Sequence, residues 1–392
     1  MPTDSPFDGV ADVQVCLGSP NRSHTFDLGR ELHQRGVLKR LYTMYPKGRV
    51  ESVPNPLIRS FPYVLGTSVV LQRLGLGTLH QRDPMVIDTY DRWLSRAVEE
   101  CSVFHCTSSF GLRTHIRAKR RFGALTVCDR GCAHIGFQDR ILAEERDIWG
   151  IPGDRINPGV VARELEEYDV CDIVTVPSPF ARRSFVAEGV PKDKLRCVPL
   201  AADLGMFRPL PKEDRVFRVL YVGAISLEKG IPYLLQAFAD LDLPNAELWL
   251  VGAAAEEGQR ILERFKGRHR YLGPKPRKDL AWYYSQASVL VLPSVQDGFG
   301  MVMAQAMACG VPVIASVHTG VDALFADGQA GYHVPIRDAA AIAEALLRLY
   351  EDPELRAGLA AAAIQSLRAL GGWQTYGDTM VELYRSSLAA RS

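Results

Sequence analysis

Short, apolar, β-branched runs alternate with longer stretches of helical spacing along most of the chain. In the first half, residues 13–17, 103–106, 125–128, 173–177 and 195–199 read as strands, being too short for helices and bounded by turn formers. Between them, 23–34, 83–100, 111–121, 138–149 and 179–188 repeat apolar positions with a helical period. Residues 201–215, with Pro209, Pro211 and mixed charge, sustain no period and read as an interdomain linker. The rhythm then restarts. Strands are expected at 218–222, 247–251, 271–272, 289–293 and 312–315, and helices at 232–241, 278–285, 300–308, 339–350, 353–370 and 373–388. This alternation predicts an α/β protein of two Rossmann-like, doubly wound domains facing each other across a cleft, one over 1–205 and one over 206–372. In such sheets ligands bind where strands end and helices begin.

Composition narrows the classes. At 392 residues the chain exceeds what one hydrophobic core usually supports. A net charge of +1 gives no electrostatic reason for a nucleic-acid partner. None of the eight cysteines forms a C-x-x-C pair, and Cys128 and Cys132 lack a second close pair, so no metal site is expected. Free thiols fit a reducing, cytoplasmic location. Met1 to Asp12 is acidic and poor in apolar residues, unlike a signal peptide. The longest apolar candidate, 57–79, is interrupted by Arg59, Pro62 and Arg73 and reads as a broken helix or loop rather than a membrane span. Arg113, Arg117, Lys119, Arg120 and Arg121 make one helix basic, either a solvated face or a patch for the inner face of an anionic membrane.

Three constellations carry candidate chemistry. In 291–310 an apolar strand runs into a turn containing Asp297, Gly298, Phe299 and Gly300, then into a helix bearing Met301 and Gln305. Glycines let backbone N–H groups approach a ligand, and the helix N-terminus favours an anion, so the turn suits a phosphate. The same turn can also serve only to pack helix on sheet. In 220–230 a strand ends at Gly223 and a loop carries Lys229 to the next helix, either as a diphosphate cation or as a solvated surface lysine. In the first half, His105 at a strand end and His134 after 128–133 are cleft candidates, with structural histidines as the alternative. Gly18 to Arg22 follows the first strand and lines an acceptor pocket in this reading, without completing G-x-G-x-x-G.

Together and in this order, these segments resemble the family 4 retaining glycosyltransferases (glycosyl transferases group 1), which have the GT-B fold. The resemblance rests on Tyr221-Val222-Gly223 with Glu228-Lys229-Gly230, Leu250-Val251-Gly252, Pro293-Ser294 through Asp297-Gly298-Phe299-Gly300 to Val313-Ile314-Ala315-Ser316, and Gly320 with Gly331 to Pro335. It is dense from about Val174 onward and weak upstream. It implies that Lys229 binds a donor diphosphate and that Gly223 and Gly298 to Met301 offer backbone groups to it. Asp297 would contact the transferred sugar, Gln305 would hold the ribose, and backbone near Leu272 would meet the base. His134, and less directly His105, would match first-domain histidines, with Gly18 and Arg22 on the acceptor side. The last helix, 373–392, would cross back to complete the first domain. Three positions depart from the pattern: Asp297 and Gln305 replace glutamates, and Ala224 replaces an arginine, for which Arg22 or Arg182 is a substitute.

The implied reaction moves a hexosyl group from a nucleoside-diphosphate sugar to a sugar, lipid-linked or small-molecule acceptor hydroxyl, with retained configuration and no cofactor or obligatory metal. Peripheral membrane association is a second placement. The alternatives are a catalytically impaired nucleotide-sugar-binding protein and a nucleotide-sugar epimerase.

Overall fold

The computed structural model describes residues 13–62, 67, 83–153 and 155–391. Runs with buried side chains on both faces form the strands of the first half, each followed by a helix or turn. In order they are β1 (Val15–Gly18), α1 (His24–Gln34), β2 (Leu38–Thr43), β3 (Ile58–Ser60), α2 (Pro84–Ala97), β4 (Val103–Thr107) and α3 (Leu112–Phe122). Then come β5 (Leu125–Asp129), α4 (Ile135–Trp149), α5 (Pro158–Val170), β6 (Ile173–Val176), α6 (Pro179–Ala187) and β7 (Leu195–Cys197). Among the described residues these strands make one parallel, seven-stranded sheet ordered β3-β2-β1-β4-β5-β6-β7. The order reverses beside β1, which places the mouth of the first sheet at the ends of β1 and β4.

Residues 198–216 carry no helix or strand and lead to the second sheet. Its elements are β8 (Phe217–Val222), α7 (Ile231–Leu241), β9 (Ala246–Val251), α8 (Glu256–Arg264), β10 (Arg270–Gly273), α9 (Leu280–Ser285), β11 (Val289–Leu292), α10 (Met301–Ala308), β12 (Val313–Ser316) and β13 (Gly331–Val334). The strands are parallel, in the order β10-β9-β8-β11-β12-β13, so the reversal lies between β8 and β11. Three helices close the chain: α11 (Ala339–Glu351), α12 (Pro353–Leu370) and α13 (Trp373–Ala389). The two doubly wound sheets bear out the expected α/β class.

Five elements, β2, β3, α5, α8 and β13, were not expected from the periodicity. In β2, Lys39 and Arg40 interrupt the apolar pattern, and β3 is only three residues long. In α5, Glu164 and Glu167 are fully buried, so charges face inward where an amphipathic helix shows apolar residues. In α8 only Gly258, Ile261 and Leu262 are buried on an otherwise charged helix. Ile58–Ser60 also corrects the start of the broken-helix reading of 57–79, because that part is a strand. Most of the remainder of that stretch, like Met1 to Asp12, lies outside the described residues.

The last helix returns to the first sheet. Gly371, at φ 85°, ends α12 in a conformation that side chains rarely adopt, and α13 then runs against α1. At the crossing a Cβ on Gly377 would lie 2.6 Å from the Glu31 Cβ, so only glycine permits this approach. Arg35 donates to the Asp378 carboxylate at 2.8 Å and to the Gln374 carbonyl at 2.7 Å. Tyr384, fully buried on α13, shares a 2.8 Å hydrogen bond with Nδ1 of His105 on β4.

A buried polar network ties the two sheets together behind the cleft. The Glu145 carboxylate on α4 accepts from Tyr233 of α7 at 2.7 Å, from Arg337 at 2.6 Å and from its own neighbour Trp149 at 3.1 Å. Glu145 has no solvent exposure, so loss of its charge leaves donors unsatisfied. Glu145→Gln is therefore expected to cost about 2 kcal/mol, read as an earlier urea midpoint. An unchanged midpoint would show that other contacts hold the halves together.

Candidate functional site

Where β8 and β11 end, two loops of the second domain bring their polar groups together. The Lys229 ammonium lies 2.6 Å from Oδ2 of Asp297. The other oxygen, Oδ1, accepts from the backbone N–H of Gly300 at 3.2 Å. Gly300 caps α10 with φ 57° and ψ 62°, and a Cβ there would lie 2.6 Å from a Leu292 methyl. The Asp297 carboxylate thus lies where a helix N-terminus and a lysine jointly attract an anion. Burial works against the lysine's charge, but Asp297 and Glu228 raise its pKa, so Lys229 is firmly an ammonium. Glu228 is held in turn by Gln296, whose amide donates to it at 2.6 Å.

The first domain supplies the facing wall. Gly298 approaches the Gly131–Cys132 loop so closely that a Cβ on it would lie 2.1 Å from the Gly131 carbonyl oxygen. The contact is reinforced on both sides. Cys132 donates to Gln296 at 3.0 Å, and Ser178 donates to the Gly298 carbonyl at 2.7 Å. Beside this seam His24, the first residue of α1, pairs through Nε2 with Asp129 at 2.6 Å. Asp129 and Arg130 do not pair with each other: Arg130 is bound by Glu164 at 2.8 Å and Gln138 at 2.7 Å.

Two cavities flank the seam. One, of about 500 Å³, is lined by Arg22, Arg30, Arg49, Arg277, Met301, Gln305 and Trp373 among others. The second, of about 640 Å³, has a hydroxyl- and amide-rich wall including Asn21, Ser108, Gln138 and Asn157, with Glu228 and Lys229 on the facing side. Ser23 and His24 border both.

The expected site residues are distributed unevenly. Arg22, Met301 and Gln305 line the first cavity and Lys229 the second, whereas Arg182 lines neither. Gln305 accepts a 2.8 Å hydrogen bond from Tyr284 on its Oε1, which leaves its NH₂ and the second Oε1 lone pair to offer the cavity. Phe299 is buried in the core, leaving only its backbone available. Gly223 bonds its N–H to the Val251 carbonyl, and Leu272 is half-buried on β10; neither lines either cavity. Gly18 packs beneath the loop, where a Cβ would meet the Cys106 sulfur at 2.6 Å.

Both histidines read as cleft candidates lie off the cavity walls. His134 caps α4 by accepting from the Gly136 N–H, and its ring packs against Tyr168 and Phe185. Burial pushes its pKa down to about 4, so it is a neutral ring inside the first domain. His105 is fully buried and spoken for by Tyr384. The basic helix α3 is partly neutralised, with Arg113 on Asp88 and Lys119 on Asp172. All eight cysteines are free thiols. Among the described residues, the group that could hold a metal is His115, Cys128 and Glu167, all buried with ligand atoms within 4.8 Å of one another. Both Glu167 oxygens already accept from backbone N–H groups of Ser109 and Gly111, and none of the three lines either cavity.

The second half, residues 206–366, matches the family model described as glycosyl transferases group 1. The whole chain is also 30% identical over 402 residues to a D-inositol 3-phosphate glycosyltransferase of Arthrobacter sp., an alignment covering 98% of this chain and 82% of that protein. The chain belongs to the group 1 glycosyltransferases. Another relative, a D-inositol 3-phosphate glycosyltransferase of Thermomonospora curvata, is 31% identical over 302 residues; the match spans 69% of this chain but only 64% of that protein. In fold, this group 1 glycosyltransferase resembles the sucrose-phosphate synthase of Thermosynechococcus elongatus, with a TM-score of 0.74 at 23% identity over 96% of this chain and all of that one. It also resembles Anabaena HepE, solved with UDP and glucose, with a TM-score of 0.66 at 14% identity over 95% and 100% of the two chains. Among the described residues, no helix of the glycosyltransferase is long and apolar enough to cross a membrane.

Sequence reasoning missed His24 and the cavity-lining Arg49 and Arg277. The signal for His24 was present, since it opens the helix that follows the first strand, at a sheet's mouth. The seam itself is testable. Gly298→Ala is expected to wedge the halves of this glycosyltransferase apart at a cost of about 1–3 kcal/mol, seen as a larger radius of gyration in solution scattering. An identical scattering curve and thermal midpoint would show that the close approach is not obligatory.

Proposed function

We propose that this glycosyltransferase moves a hexosyl group from a nucleoside-diphosphate sugar to a hydroxyl of a polar acceptor, with retention of anomeric configuration and without an obligatory metal or cofactor. The observation that carries this reading is the Lys229–Asp297–Gly300 cluster, which gathers an ammonium and a helix N-terminus around one anionic position at the border of two cavities.

The cavities divide the substrates. The first, with Gln305 at the position that the family resemblance gives to ribose and with Arg22, Arg49 and Arg277 on its walls, suits the nucleotide. The second, where hydroxyl and amide groups stand beside the apolar Phe110, Ile135, Ile156 and Val160, suits a sugar or polyol. The relatives named D-inositol 3-phosphate glycosyltransferases support a polyol phosphate as one acceptor to try. As the sugar–phosphate bond breaks, negative charge grows on the leaving diphosphate and positive charge on the sugar ring. Lys229 and the N–H groups at Gly300 stabilise the first. Asp297, released from Lys229 by the arriving phosphate, faces the second and contacts the sugar hydroxyls. Its shorter side chain is offset by its position beside the helix start. The departing phosphate oxygen takes the acceptor proton on the same face, which preserves configuration.

The test begins with thermal shift against UDP-, GDP- and ADP-sugars, because a ligand that binds the folded state raises its midpoint by mass action. Transfer to sugars, polyols and their phosphates is then followed by NMR, with an axial or equatorial product matching the donor expected. Lys229→Ala should lower kcat by about 100-fold. Binding without transfer to any acceptor would favour the catalytically impaired reading, and near-wild-type kinetics of the variant would remove Lys229 from the mechanism.

A further inference from the structure

A nucleoside diphosphate leaving group needs positive charge, and the Lys229 loop itself offers little to spare. Lys229 shares its charge with Asp297 and Glu228, and Ala224 stands where the family resemblance implies a guanidinium. The Tyr221 hydroxyl closes back on the Ala224 carbonyl at 2.8 Å, so that loop brings no cation of its own at this point.

The first domain has a basic side chain at the seam. The ring of His24 is seated by Gly131, where a Cβ would lie 3.1 Å from its Cε1, so the ring is confined between that loop and Asp129. Asp129 is itself fixed, accepting from Thr175 at 2.9 Å with His105 Nε2 3.7 Å away. The pairing uses Nε2 alone. Nδ1 hydrogen-bonds to no described residue, and His24 borders both cavities, sharing the second with Lys229.

Two forces oppose a positive charge on this ring: its burial, and its place at the N-terminal end of α1, where the helix dipole repels cations. The Asp129 carboxylate outweighs them and raises the His24 pKa above its ordinary value. When protonated, the ring presents N–H donors at both nitrogens. An anion arriving at Nδ1 is favoured by the ring and by the same helix dipole.

We propose that His24 is the first-domain group that contacts the donor diphosphate, donating a hydrogen bond from Nδ1 to a phosphate oxygen while Asp129 holds Nε2. This rests on the donor reading above and adds to it a division of labour: one cation from each domain grips the diphosphate, so that it is held fully only when the seam is closed. Asp129 acts as a positioning residue, setting the ring's orientation and its proton.

The test uses whichever nucleoside diphosphate gives the largest thermal shift with the full chain, beside its parent nucleoside. By calorimetry, His24→Gln should weaken the diphosphate about tenfold, roughly 1.4 kcal/mol, and leave the nucleoside unchanged. Asp129→Asn should weaken it in the same direction, with the double variant no worse than His24→Gln alone. In the wild-type protein labelled with ¹⁵N-histidine, the His24 ring resonance should move on adding the diphosphate and stay put with the nucleoside, a readout that does not depend on the variants folding. A diphosphate affinity unchanged by His24→Gln, an equal loss for the nucleoside, or a ring resonance indifferent to the diphosphate would each overturn the assignment. A wild-type chain that binds no nucleoside diphosphate would instead overturn the donor reading itself.

Discussion

At the seam between the two domains, backbone lies directly against backbone. Gly298 lies against the Gly131–Cys132 loop with no room for a single added carbon, and the rest of the site is arranged around that point. It brings the end of β11 to within reach of the end of β5, so groups from two sheets face one small volume. Ser178, Cys132 and Gln296 hold the contact from either side, and Glu145 with Tyr233 and Arg337 closes the back of the molecule. Backbone contacts of this kind are short-ranged and unforgiving in distance, which makes them a sound reference for positioning a transferring group.

Within this frame, several cations are paired with a carboxylate. Lys229 is matched by Asp297, His24 by Asp129 and Arg130 by Glu164. Partly buried charges left alone are expensive, so pairing keeps the site stable. The first two pairs also keep one face open to a cavity. An anion entering a cavity would meet the Lys229 ammonium with Asp297 still beside it, and the Nδ1 side of His24 with Asp129 still on Nε2.

Much of the architecture was legible because strands of doubly wound sheets are nearly unbroken apolar runs, as in Val289–Leu292. What escaped did so for physical reasons. Lys39 and Arg40 make β2 look polar, although its neighbours bury it. Glu164 and Glu167 turn α5 inside out, because its buried face serves Arg130 and the backbone of Ser109 and Gly111 rather than a hydrophobic layer. The turn before α10 was visible because its parts, Asp297, Gly298 and Gly300, are contiguous, and Lys229 lies in a similar strand-to-loop setting. His24 could be placed at a sheet's mouth, but its pairing with Asp129, 105 positions away, could not be read from the chain. His134 and His105 drew attention as histidines near strand ends, yet one caps a helix and the other is engaged by a tyrosine from the far end of the chain.

That last tyrosine belongs to α13, and its helix ties down α1 through contacts separated by as many as 343 positions, as between Arg35 and Asp378. During synthesis the strands of the first sheet emerge long before the helix that covers them. The N-terminal half must therefore wait, partly uncovered, until the whole second domain has been made. Its completion is a long-range, slow-forming event. The order of assembly follows: the second sheet, whose helices α11 and α12 come directly after its last strand, can settle first, and α13 then delivers the covering piece to the half that began the chain.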